Sequence, residues 1–232
     1  MSERSYGQFC PVAMAAELLC TRWTMIIVRE LLCGSTRFNE LRRGMPRIPP
    51  ALLSQRLKSL EEAGIVVRTN VPGEAGVMDY RLSKSGLELR PIVEGMGQWG
   101  QRWISSKATM ERLDGALLMW DMRRNITLDP RPDRRQVVQF FYDDAPVNDR
   151  RWWLVVEPDH PPQICSIDPG YDVDLYVTAP LGLMTAIWMG HESFAQAIAE
   201  DRLRIVGDNG LADNLQKWLR LSGFAHEERQ VA

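Results

Sequence analysis

The segment Pro50-Ala51-Leu52-Leu53-Ser54-Gln55-Arg56-Leu57-Lys58-Ser59-Leu60 carries the most suggestive chemistry in the chain. Ser54 and Gln55 offer hydroxyl and amide groups able to hydrogen-bond to base edges of a duplex, and Gln favours adenine. Lys58 and Arg56 add cations suited to phosphates or base edges. The spacing of Leu53, Leu57 and Leu60 predicts a helix with one buried stripe. At about 100° per residue, Ala51, Ser54, Gln55 and Lys58 fall on the opposite face and Arg56 on the flank. A helix that enters a major groove needs this division, one face packed on its supports and the other free. A face of Ser, Gln and Lys is more often only a solvated one, so the surrounding elements must decide.

Those elements come in an informative order. Ala13 to Cys20 has helical character. A second helix is expected from Thr24, read as its N-cap, to Leu32, with Gly34 ending it. A short third helix spans Arg37 to Arg43, with Phe38 and Leu41 on one face. The prolines of Met45-Pro46-Arg47-Ile48-Pro49-Pro50 exclude helix before the fourth, which runs from about Pro50 to Ala63 with Pro at its start. Arg42, Arg43 and Arg47 add positive charge on its approach. Ile65 to Thr69 reads as a strand, Val71 to Val77 as a flexible loop and Asp79 to Leu82 as the returning strand. Ser83 can cap a long helix carrying Leu87, Leu89, Ile92, Val93, Met96, Trp99 and Trp103, bent near Pro91 or Gly95. Three short helices, a hairpin and a long helix make a winged helix-turn-helix, with Arg68 and Arg81 on the wing.

The motifs Cys10-Pro11-Val12, Arg22-Trp23-Thr24, Arg29-Glu30-Leu31, Arg37-Phe38-Asn39-Glu40-Leu41, Ile48 to Gly64 and Tyr80-Arg81-Leu82-Ser83-Lys84-Ser85-Gly86 recur in order at fitting spacings. Residues 6–105 thereby resemble the HxlR-type branch of the MarR-like winged-helix regulators. The resemblance implies binding of double-stranded DNA by a homodimer, packed through the N-terminal helix and the long helix, on a two-fold site. The DNA-contacting set expected is Arg47, Pro50, Ala51, Ser54, Gln55, Arg56, Lys58, Arg68 and Arg81. In some relatives a cysteine matching Cys10 senses oxidants. Such a thiol needs exposure and a lowered pKa, and the bland reading is a packed residue at a helix start. Cys20 and Cys33 read as core, and Cys165 has no obvious partner.

After Lys107 the character changes. Met110 to Met119 reads as helix. Asn125 to Leu128, Arg135 to Phe141, Trp152 to Glu157, Asp174 to Thr178 and Arg202 to Asp208 read as strands. Pro130 to Asp133 and His160-Pro161-Pro162 read as turns, and Thr185 to Trp188 as an apolar run. Glu192 to Glu200 and Leu211 to Leu219 read as helices. The second half is α+β by this order. Its ending, Ala197-Ile198-Ala199, Asp201-Arg202-Leu203, Val206-Gly207-Asp208, Leu215 and Trp218-Leu219, resembles the sterol-carrier-protein-type fold. That implies a cavity for a small apolar effector, with Trp120, Phe140, Trp152 and Trp188 as candidate lining residues. The expected organisation is therefore a DNA-binding and dimerisation domain over 1–107 and a sterol-carrier-like effector domain over 108–232.

Composition agrees with a globular chain of this kind. The 232 residues are 45% hydrophobic and 25% charged, with a net charge of −2. Residues 1–107 hold 15 Lys+Arg against 10 Asp+Glu, and residues 108–232 hold 13 against 20. A basic half joined to an acidic one fits a single nucleic-acid-binding domain. No secretory signal or membrane span is expected, which implies a cytoplasmic location. The four cysteines and three histidines are scattered, so neither metal nor cofactor is expected. No nucleophile elbow, P-loop, dinucleotide motif or zincin pair is present. Asp143-Asp144 and the Asp172/Asp174 pair lack a His or Cys partner, so no enzyme is expected. The competing reading from another class is a lipid-carrying module whose winged helix makes protein contacts.

Overall fold

A computed structural model describes residues 5–74, 76–105, 113–129 and 131–231. Lys107, Met110, Ala75 and Pro130, on which parts of the expectation fall, lie outside the described residues. The chain forms two compact units, Met1–Met96 and Gly97–Ala232. The division falls inside a helix, N-terminal to the Lys107 boundary inferred from composition.

The first unit contains α1 (Pro11–Leu19), α2 (Thr24–Leu32), α3 (Phe38–Arg43), α4 (Pro50–Glu62), the hairpin β1 (Val66–Asn70) and β2 (Met78–Leu82), α5 (Lys84–Leu87) and the start of α6 (Arg90–Trp103). Its core joins Ile27, Val28 and Leu31 of α2 to Leu41, Met45, Ile48, Leu53, Leu57, Leu60, Ile65 and Val66. The expected elements appear within a residue or two of their inferred ends. Thr24 is not the N-cap: Trp23 takes that place in the left-handed region at φ 79°. Thr24 is buried, and its hydroxyl lies 2.6 Å from that of Thr21. The long helix is interrupted between α5 and α6. Pro91 lacks the N–H that would continue a helix through that point and instead stands in the first turn of a new one.

One buried charge organises the helices. The Glu30 side chain is fully enclosed, its Oε1 2.5 Å from Nη2 of Arg29. Arg29 Nη2 also donates to the Gly44 carbonyl at 3.1 Å. A Cβ at Gly44 would stand 1.8 Å from Glu30 Oε2.

The second unit contains the rest of α6, α7 (Gly115–Asn125), β3 (Gln136–Tyr142), a short 3-10 turn (Val147–Asp149), β4 (Arg151–Glu157), β5 (His160–Cys165), β6 (Leu175–Ala179), α8 (Leu181–Trp188), α9 (Phe194–Ala199), β7 (Arg204–Gly207) and α10 (Asn209–Trp218). The five strands lie in the order β5-β4-β3-β6-β7, with β3 and β6 parallel and the other neighbours antiparallel. Alternation along β3 turns Val138, Phe140 and Tyr142 into a core shared with α7, α8 and α10. Val137 faces the other way, with Trp153 and Val155. The chain is mixed α+β.

Two readings of this half need correction. Asn125 to Leu128 is no strand: Asn125 ends α7, and the Thr127 N–H meets the carbonyl of Trp218 at a helix end, not a strand partner. His160-Pro161-Pro162 is no turn but the start of β5. β5 is an edge strand, where a missing N–H breaks no ladder on its outer side. Among the described residues no single helix is long and apolar enough to cross a membrane; α1 and α2 together reach that composition but are bent by 82°.

The enclosed Glu30 yields a sharp expectation. Gly44→Ala should destabilise the first unit by about 1–3 kcal/mol, the usual cost of forcing atoms into a packed site. Urea denaturation followed by circular dichroism reads this, and an unchanged midpoint would refute it.

Candidate nucleic-acid interface

The seat of α4 is built from both ends. Met45 and Ile48 are buried while Pro46, Arg47 and Pro49 are exposed, so the connecting loop is pinned by two side chains and presents Arg47 outward. Pro49 is extended and Pro50 opens the helix. Leu53, Leu57 and Leu60 are buried at 1% exposure or less. Pro50, Ala51, Ser54, Gln55 and Lys58 are all exposed. At the far end Gly64, at φ +71°, reverses the chain, and the Ile65 N–H returns to the Leu60 carbonyl.

The Leu82-Ser83-Lys84-Ser85-Gly86 motif has a visible purpose. Ser83 and Ser85 both donate to the Gly64 carbonyl, at 2.6 and 3.0 Å. Ser83 also accepts from the Gly86 N–H and so caps α5. A Cβ at Gly86 would lie 2.3 Å from the Ile65 carbonyl. The motif locks the base of the wing to the end of α4.

Arg56 stands apart from the exposed set. It is half-buried, and its Nε donates to the Arg22 carbonyl at 3.2 Å. This contact ties α4 to the turn before α2, where Arg22 covers the Trp23 ring. Lys58 sits 3.7 Å from Glu62, an exposed pair worth little. Arg68 and Arg81 are both exposed, but the register pairs Arg68 with Tyr80 and Arg81 with Val67. They therefore leave the hairpin on opposite faces. Arg81 is held 3.0 Å from Asp79.

Arg37, at the start of α3, contacts Glu74 near the wing tip with both terminal nitrogens, at 3.1 and 2.9 Å, and its Nε lies 3.0 Å from Asp79. Thr36 donates to Asp79 and accepts from the Tyr80 N–H. Glu40 holds the same corner by accepting from the Thr36 and Arg37 N–H groups. The Arg37 guanidinium lowers the Glu74 carboxyl, while Arg81, then Thr36 and Arg37, lower that of Asp79. Partners separated by 37 residues leave no periodic signal.

A sequence model of the HxlR-like helix-turn-helix family matches residues 18–108. The HTH-type transcriptional regulator YvaP of Bacillus subtilis is 37% identical over 99 residues, spanning 42% of this chain and 92% of YvaP. The chain belongs to the HxlR-like helix-turn-helix family. It is a transcriptional regulator of that family, and the family's matched region leaves residues 109–232 outside it. YdzF, also an HTH-type regulator of B. subtilis, is 36% identical over 91 residues, 39% of this chain and 84% of YdzF. Among solved structures, the reduced form of the transcriptional regulator YodB from B. subtilis is 34% identical, covers 40% of this chain and 93% of YodB, and gives a TM-score of 0.36.

The remaining candidate residues of this HxlR-like regulator fall as follows. In the second unit a pocket of about 280 Å³ is lined by Met122, Met184, Trp188, Phe194, Leu219, Leu221 and their neighbours. Of the four aromatic candidates, Trp188 lines it. Phe140 is fully enclosed in the core, 6.4 Å from the Tyr142 ring. Trp152 is buried with its Nε1 on the Asp149 carbonyl, and Trp120 is buried beneath the Arg123 guanidinium. Asp144 and Asp174 have structural partners: Asp144 accepts from the Leu181 N–H, and Asp174 from Val137 N–H and Arg134.

Cys20 and Cys33 are not core. They stand exposed at the C-caps of α1 and α2, because each helix ends before its apolar face reaches them. Cys10 is exposed at the N-cap of α1, where backbone N–H groups of Ala13 and then Val12 lower its thiol pKa. A lowered thiol holds more thiolate at a given pH. Cys10 alkylation by iodoacetamide, followed by peptide mass spectrometry, should therefore reach half its maximal rate below the ordinary thiol pKa; a midpoint at or above it would refute the assignment.

Proposed function

We propose that this regulator binds a two-fold duplex DNA site as a homodimer, reading bases with the exposed face of α4 and responding to a small apolar effector in the second unit. The observation that carries the reading is the division of α4: three leucines are buried, while Ser54, Gln55 and Lys58 stand clear of the protein. Arg47, Pro50 and Ala51 border that face. Arg68 and Arg81 supply charge on either side of the wing for backbone or minor-groove contact. A dimer through α1 and α6 is supported by apolar residues left uncovered. Phe9, Val12 and Met14 are exposed at the first, and Ile92, Met96, Trp99 and Trp103 form one stripe on the second. The effector reading is supported by the α+β build of the second unit and by its apolar pocket, slightly smaller than the usual span of about 300–1,000 Å³.

Titration into duplex from the protein's own promoter region, with scrambled competitor at several salt concentrations, tests the DNA reading. Gln55→Ala should cost about 1–3 kcal/mol at the cognate site and relax sequence preference. Lys58→Ala should weaken all sequences alike and reduce the salt slope by about one. Binding that is absent or indifferent to sequence would refute the reading and favour the lipid-carrier alternative. Trp99→Glu should convert the dimer to monomer in sedimentation, since a buried unpaired charge has no compensation at such an interface. A wild-type monomer would refute dimerisation.

A second reading is favoured by the exposed, pKa-lowered thiol of Cys10. A peroxide would oxidise the thiolate to a sulfenic acid and itself be reduced to hydroxide. On this reading peroxide abolishes DNA binding and Cys10→Ser resists it; a Cys10→Ser variant that still loses binding refutes it.

A further inference from the structure

The stretch that closes the pocket continues directly into a tail that grips α6. Leu219, Arg220 and Leu221 line the pocket, and the next residue donates from Ser222 N to the carbonyl of Trp188, itself a pocket wall. The tail then crosses α6 at a place cleared for it. The Phe224 ring lies so close to Gly97 that a Cβ there would be 2.2 Å from Phe224 Cζ. Ala225 packs on Gly190, at φ +77°, where a Cβ would stand 2.7 Å from the Ala225 carbonyl. Glu227 is buried and accepts from Arg102 Nε and Nη2, at 2.7 and 2.5 Å.

The tail also completes the end of the helix. The last carbonyls of an α-helix have no partner within it and favour cations. Here Gln230 N donates to the Arg102 carbonyl at 2.8 Å, and Arg229 Nη2 to that of Ile104 at 2.7 Å. Arg229 Nη1 lies 3.1 Å from Nε2 of His191, and buried Gln101 donates to the Met189 carbonyl. Gly97 to Ile104 are thereby fastened to the tail and to the end of α8, while the same helix carries the exposed stripe of Ile92, Met96, Trp99 and Trp103.

We infer that the tail from Ser222 to Val231 is a strap that carries occupancy of the pocket to α6. The inference rests on the pocket being the effector site. A ligand against Leu219 and Leu221 shifts the anchor of the strap, and the strap holds α6 by an ion pair, two capping hydrogen bonds and a ring in a glycine notch. Coupling requires that the ligand bind the two strap arrangements with different affinity, and it is reciprocal. The regulated quantity is the order of α6, and with it the surface offered to a second copy of the chain.

The test uses the full chain with the dye 8-anilinonaphthalene-1-sulfonate as an apolar probe. Gln216→Trp, at an exposed lining position, identifies pocket-bound dye by abolishing its fluorescence. Hydrogen exchange is then followed over Gly97 to Ile104. Saturating dye should change these rates at least about fivefold, the lower end of ordinary coupling. Glu227→Gln and Phe224→Ala, checked for folding by thermal melts, should retain dye binding and lose that response; if Phe224→Ala does not fold, Glu227→Gln decides alone. Dye that fails to bind, or that ignores Gln216→Trp, overturns the pocket and the inference with it. Pocket binding without a change in exchange, or a response that survives Glu227→Gln, overturns the strap and leaves the pocket standing.

Discussion

The burial of three leucines on α4 governs the first unit. Each withdrawn leucine side chain contributes about 1.5–3 kcal/mol, so Leu53, Leu57 and Leu60 fix the rotation of α4 about its axis. Once that rotation is fixed, Ser54, Gln55 and Lys58 have no choice of direction. Everything adjoining the helix holds this orientation. Met45 and Ile48 anchor its entrance, Arg56 ties its flank to Arg22, and the serines of the wing base hold its exit. The Arg29–Glu30 pair beneath Gly44 sets α2 against the end of α3, upstream of the same entrance.

Much of this was legible in the residues. Periodicity gave α4 and its faces because burial follows the 3.6-residue repeat directly. The hairpin and the caps at Gly64 and Ser83 followed from turn chemistry. Illegible were the features that depend on partners distant in sequence. Nothing local to Arg37 announces Glu74 and Asp79, and nothing local to Phe224 announces Gly97. Arg56 shows the limit on α4 itself: nothing on the helix flank announces the Arg22 carbonyl that its Nε meets.

In the second unit strong alternation, as along β3, marks its strand directly, while composition alone points the wrong way at two places. Two consecutive prolines look like a turn until a sheet edge is available for them. Extended residues after α7 look like a strand until their neighbour proves to be a helix end. Large aromatics look alike as pocket candidates, yet alternation sends Phe140 inward to the core, and the pocket is walled mainly by α8, the stretch leading into α9 and the stretch after α10.

The prolines of β5 have a consequence for how the chain behaves when crowded. A free sheet edge is a template for pairing with another molecule, and long flat edges invite aggregation. Here the adjacent Pro161 and Pro162 remove one N–H donor from the free edge and one from the side facing β4, a bulge between Val155 and Glu157 disturbs the ladder beside them, and the other edge is closed by the four-residue β7. Neither margin is a good template for strand addition, so self-recognition by these molecules is steered away from open-ended sheet growth and left to their helical surfaces.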